Sequence, residues 1–152
     1  MKTVADHPVV QSLVTRFQRL GPESQRRWGT MSPQEMLCHL GDAAEMVLRV
    51  RPRPKPVPLR HRPVVKGFWL WTAVPWPHGV RTSPFLDPKA DGTHPGDFER
   101  DRDRAIAGVR ALSGAAPDTL EPAHGIFGVM SLRDWQRWAW RHTDYHLRQF
   151  GV

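Results

Sequence analysis

The sequence of 152 residues contains a single cysteine, Cys38. No internal disulfide can form, so a hydrophobic core has to hold the fold, and this composition fits a reducing compartment. The longest apolar run, Gly67 to Pro77, falls well short of the roughly 20 residues a membrane span needs. The amino-terminal MKTVADHPVV has no apolar stretch of the kind a secretory signal carries. A soluble, cytoplasmic protein without membrane association is therefore expected. Its length suits one domain, residues 1–152, large enough to bury a core without covalent staples.

Acidic residues are missing from one whole segment. Between Met46 and Leu86 there are eight basic residues (Arg49, Arg51, Arg53, Lys55, Arg60, Arg62, Lys66, Arg81) and no acidic one, so the formal charge of +7 is local to that segment. The other parts of the chain are close to neutral. Ten of the fifteen prolines fall between Arg51 and Pro95, where RPRPKPVP reads as an extended strip and no long helix can run. Within it, VVKGFWLWTAVPW fits either one short buried helix or an apolar strip laid over the core.

Helical periodicity fills the remainder. Val10, Leu13, Val14, Phe17 and Leu20 recur at helical spacing, with Pro8 in a first turn and Gly21-Pro22 as a stop, predicting a helix over His7–Leu20. Ser32-Pro33-Gln34-Glu35 is a capping box that opens a second helix, expected from about Pro33 to Val50. Phe98, Ala105, Val109 and Leu112 share one side of a third, Asp97 to Leu112. A second capping box, Ser131 to Asp134, opens a fourth that runs to about Phe150. β-Hairpin signals are weak. The expected fold is all-α, an antiparallel four-helix bundle with a long Pro-rich, basic connection between its second and third helices, about residues 51–95.

The histidines carry the chemistry. On the last helix the inward stripe runs Trp135, Ala139, His142, His146, Phe150, so two imidazoles one turn apart continue the core-facing surface. Two histidines four apart can reach one ion. On the second helix His39 falls in the stripe of Met36, Ala43 and Met46. Buried imidazoles need either hydrogen-bond partners or a metal, and packing and metal binding both remain open for them. The segment HTDYH has Thr143 where a zincin protease has its general-base glutamate, which removes that reading. Asp144 lies off the shared face and reads as a surface or capping charge. Asp42, three residues after His39, is placed either to orient that imidazole or to approach a metal, or else is a solvated carboxylate. Cys38 points about 100° around the helix from His39 and reads as a small buried hydrophobe. His124 reads either as a turn histidine or as one lining the same site from the loop before the last helix.

The stretches RWGTMSPQEMLCHLGDAAEMVL, PWPHGVRTSP, PGDFERDRDRAIAGVRAL and HGIFGVMSLRDWQRWAWRHTDYHLRQFG, which between them reach from Arg27 to Gly151, resemble an uncharacterised branch of the DinB-like superfamily, which also holds the YfiT-type metal-dependent hydrolases. The resemblance implies a bundle of DinB/YfiT type with a divalent metal held by His39, His142 and His146; zinc, nickel or iron would suit three imidazoles. It also implies a metal-activated thiol or water acting on a small substrate, as a thiol S-transferase or hydrolase, with a low-molecular-weight thiol as partner; a homodimer is compatible with it. The basic strip, Arg49 to Lys66, then reads either as attracting an anionic substrate or as a solvated, solubilising loop. The alternative is a nucleic-acid- or partner-binding bundle that uses the strip without catalysis. Nucleic acid is not the expected partner, because no reading helix is recognisable and the aromatics cluster with apolar neighbours instead of arginines.

Overall fold

The computed structural model describes all 152 residues. The first helix, α1 (His7–Arg19), buries Val10, Leu13, Val14 and Phe17. The second, α2 (Pro33–Val47), starts at the expected capping box. Ser32 Oγ accepts from the Glu35 backbone N–H at 3.1 Å, and Glu35 Oε2 accepts from the Ser32 N–H at 2.7 Å. Two otherwise orphaned amides are satisfied reciprocally. The helix ends three residues before the expected Val50. Arg49 takes a left-handed φ of 59°, and the amides of Val50 and Arg51 turn back onto the Glu45 carbonyl.

The connection contains a helix of its own, α3 (Pro63–Trp71), which settles the open choice in favour of the short helix. It is not buried as expected, since Leu70 alone is sealed while Val65, Trp69 and Trp71 rest partly covered against the core. Its polar anchorage is to the last helix, α5 (Leu132–Gln149). Asp134, the N3 residue of the Ser131 capping box, also accepts from Lys66 Nζ at 2.7 Å and Trp71 Nε1 at 2.8 Å. One turn on, Arg137 donates to the carbonyls of Leu70 and Lys2, and Arg141 donates to those of Thr72 and Val74. Two buried guanidinium groups thus bind carbonyls at the end of α3 and in the loops beside it, where no helical partner is available.

Between α3 and α5 come α4 (Phe98–Ser113), capped by Asp97, and a hairpin absent from the sequence-based expectation, β1 (Ala123–His124) and β2 (Gly128–Val129). The basic strip lies along its edge. His61 bridges to Gly128, and the Val129 N–H donates to the Arg60 carbonyl at 2.9 Å. Gly128 has φ 71°, and a Cβ there would stand 2.0 Å from the Arg60 oxygen, so this contact requires glycine.

The fold is thus mostly helical, with five helices and a two-stranded sheet rather than four helices and none. Both α4 and α5 pack against α1 and α2, and against each other, around a core cluster of 26 residues. No helix is long and apolar enough to cross a membrane.

Candidate metal centre

The apolar periodicity of α2 and α5 aims three imidazoles at one point. Met36, Ala43 and Met46 bury the α2 stripe, and His39 goes in with them at 4% exposure. On α5, Trp135, Ala139 and Phe150 do the same for His146 and leave His142 half-buried. His39 Nε2 lies 3.1 Å from His142 Nε2, and one ligand atom from each of the three histidines falls within 4.8 Å of the others. Ring centroids are 4.8 to 5.1 Å apart, with the rings inclined at 64° to 86° to one another. Three histidines lie close enough together to bind a metal ion.

Their tautomers follow from what surrounds them. His39 Nδ1 is 2.8 Å from the carbonyl of Leu86, which can only accept, so Nδ1 carries the proton and Nε2 presents a lone pair. His146 Nδ1 is 3.0 Å from Gln149 Oε1, while Gln149 Nε2 donates to the Trp28 carbonyl at 2.8 Å. That carbonyl fixes which way the amide faces, the amide fixes the His146 proton on Nδ1, and Nε2 is again left bare. Gly29 makes room for the amide, because with φ 79° a Cβ there would stand 2.4 Å from Gln149 Nε2. A single Nε2–H on His142 can satisfy only one of two bare nitrogens. A cation satisfies all three.

Burial favours the uncharged form of each ring. It holds His39 below its ordinary value against the opposing pull of the Leu86 carbonyl. His146 is pushed down to about 3, by burial first and His39 second. For His142, burial and then its two histidine neighbours push the value well down. Neutral imidazoles are the form that binds metal.

No protein family, curated protein or solved structure matches the chain.

The three rings open into a cavity of about 900 Å³, through which His142 keeps some contact with solvent. Trp138 stacks on His142 with centroids 4.6 Å apart, and Trp76 flanks it at 6.5 Å. His124 lines the same cavity while also serving its turn, since its Nδ1 accepts from the Ile126 N–H at 3.1 Å. Its ring stacks on Phe127, and burial, with Arg53 adding to it, brings its pKa to about 3.

Asp42 is placed otherwise than either of the site readings had it. It is sealed from solvent, and its oxygens accept from the Thr93 N–H at 2.7 Å, Thr93 Oγ1 at 2.6 Å, Arg104 at 2.6 Å and Arg51 at 3.2 Å. Those donors hold its pKa low although burial works the other way. Its hydrogen bonds tie the end of the connection to α2 and α4, and the Leu86 carbonyl, not Asp42, orients His39. Asp144 pairs with Arg16 at 2.7 Å, as a partly exposed charge. Cys38 is buried away from the histidines beside Asp101, and its thiol is pushed up to about 12, first by burial. Such a thiol is unreactive at neutral pH.

Proposed function

We propose that His39, His142 and His146 hold one divalent cation, and that the protein is a metal-dependent enzyme of thiol S-transferase or hydrolase type acting on a small molecule in the adjoining cavity. The observation that carries this reading is the pair of bare Nε2 atoms, each imposed by a carbonyl or an amide beyond the ring, converging on a third imidazole. One proton on His142 can match only one of these two lone pairs, as it does for His39 at 3.1 Å, whereas a cation would be shared by all three rings. Zinc, nickel and iron all suit imidazole donors. An ion held by these three side chains would supply Lewis acidity, lowering the pKa of a water or thiol in the cavity.

The chain's own residues supply the remaining requirements. Leu86 and Gln149 hold two rings in the ligating tautomer, Trp138 and Trp76 limit water around His142, and the cavity gives a substrate room beside the three nitrogens. The same three histidines are the ones the DinB-like resemblance marks. We assign α1, α2, α4 and α5 to a DinB-type four-helix bundle and a low-molecular-weight thiol to the second substrate, on that resemblance.

Elemental analysis of protein purified without a histidine tag or chelator tests the reading. About one equivalent of zinc, nickel or iron is expected in the wild type, falling to background in His39→Ala, His142→Ala and His146→Ala that remain folded by circular dichroism. Metal-free wild type that also takes up none of these ions on titration would overturn it.

A further inference from the structure

The eight basic residues of the acid-free segment have separate fates. Arg51 is engaged by Asp42, Thr93 and two backbone carbonyls, and Lys66 by Asp134. Arg49, Lys55 and Arg60 are exposed. Arg53 turns inward and lines the three-histidine cavity, its side chain 12% exposed. Its nearest carboxylate, Glu121, stands 3.7 Å from Nε, beyond hydrogen-bond length, and that nitrogen is sealed from solvent with no acceptor. A guanidinium has five N–H donors in a planar fork, so this one is enclosed and under-used at a cavity wall.

The charge of the cavity points the same way. Arg53, Arg81 and Lys89 line it against one acidic residue, Asp87, which already accepts from the Lys89 N–H. The three imidazoles are neutral ligands and would offset none of a cation's charge. Apolar groups supply much of the remaining wall, among them Met46, Trp69, Phe85, Phe127 and Trp138. An occupant that satisfies both has one anionic end and an apolar body.

We propose that Arg53 is the binding residue for the carboxylate of a monoanionic, largely apolar substrate, an aryl or alkyl carboxylic acid. For the charge of the site this rests on the metal reading; for the unpaired Arg53 Nε it rests on the structure alone. A monoanionic carboxylate is favoured over a phosphate because one guanidinium is enclosed, while Arg81 and Lys89 are exposed at the rim. The flat fork of Arg53 matches a carboxylate edge in a way an ammonium does not. Glu121 competes with the substrate for the same cation.

The test uses full-length protein kept metal-free with EDTA and, in parallel, loaded with zinc. The probes are 3-phenylpropionate, its neutral amide 3-phenylpropanamide, and phenyl phosphate. Binding is read by tryptophan fluorescence, since Trp28, Trp69, Trp76 and Trp138 line the cavity, and by the NMR shift of the Arg53 Nε–H. In wild type the carboxylate should bind at least tenfold tighter than the amide and shift the Arg53 signal. Arg53→Met should weaken the carboxylate at least tenfold and the amide less than twofold, with Arg53→Lys in between. Glu121→Gln, which keeps Arg53, should tighten the carboxylate several-fold, so the proposal stays testable if Arg53→Met fails to fold. A wild type without preference for the carboxylate, tighter binding of phenyl phosphate, or an affinity unmoved by Glu121→Gln would overturn it. Arg53-dependent carboxylate binding by a protein that takes up no zinc would keep the anchor and sink the metal reading. Zinc uptake without Arg53 dependence would do the reverse.

Discussion

Replacing Gln149 with leucine tests the chain of hydrogen bonds that fixes the His146 tautomer. Gln149 is 4% exposed and bridges His146 Nδ1 at 3.0 Å to the Trp28 carbonyl at 2.8 Å. Leucine fills similar space but gives the ring no acceptor, so the Nδ1 proton is no longer favoured over the Nε2 proton and the bare nitrogen is lost part of the time. Removing the outer partner of a ligating histidine costs roughly 10- to 100-fold in metal affinity. That is about 1.4 to 2.7 kcal/mol. The same change strands a buried N–H and a carbonyl, which should lower stability by about 1–3 kcal/mol in a domain whose total is about 5–15 kcal/mol. Zinc affinity measured by competition with a chromogenic chelator, beside urea unfolding of the metal-free protein, reads both effects. Gln149→Glu is the control, because its carboxylate still accepts from Nδ1–H while facing the Trp28 carbonyl with an oxygen. It should keep zinc affinity and lose stability. Affinity of Gln149→Leu within twofold of wild type, while His146→Ala abolishes binding, would refute the tautomer argument.

Two further outcomes follow from the buried charges. His39, His124, His142 and His146 all titrate below 6.5 in the folded state, so below that pH the unfolded chain takes up protons the folded protein refuses. Metal-free protein should therefore lose stability as the pH falls from about 6.5 toward about 3, by up to about 1.4 kcal/mol per pH unit for each ring that stays neutral. Urea midpoints between pH 7.5 and 4.5 measure this, and His146→Gln should flatten the slope; an equally steep slope in that variant would contradict the assignment. Asp42→Ala leaves Arg104, Arg51 and the Thr93 amide without their shared acceptor and should cost about 3–5 kcal/mol, while zinc affinity of the folded fraction stays within about threefold. A stable variant with weakened zinc binding would return Asp42 to the metal site.

The elements with explicit end signals are legible in the sequence. Ser32 with Glu35 and Ser131 with Asp134 placed the starts of α2 and α5 because a capping box is local chemistry. The inward direction of His39, His142 and His146 followed from periodicity alone. The end of α2 was missed because a left-handed Arg49 leaves no mark in composition. The hairpin was missed because two residues per strand carry no alternation, and its partner at Arg60 and His61 lies over sixty residues away. Distance in sequence also hid the orienting groups. Leu86 acts through its carbonyl, from a turn 47 residues after His39, and no side-chain pattern could announce it. Gln149, three residues after His146 on the same helix, could have been read from spacing. Asp42 was drawn toward His39 by the same proximity rule, and lost to Thr93, Arg104 and Arg51, three donors that only the folded chain brings together.

The central claim is that three imidazoles share one ion. X-ray absorption at the edge of the metal carried by tag-free protein, dialysed free of small thiols, measures this directly. The account predicts a first shell of nitrogen and oxygen at about 2.0–2.1 Å with the multiple scattering of three imidazole rings and no sulfur at about 2.3 Å. A shell containing sulfur, which would implicate Cys38, or one with fewer than three imidazoles, would contradict it.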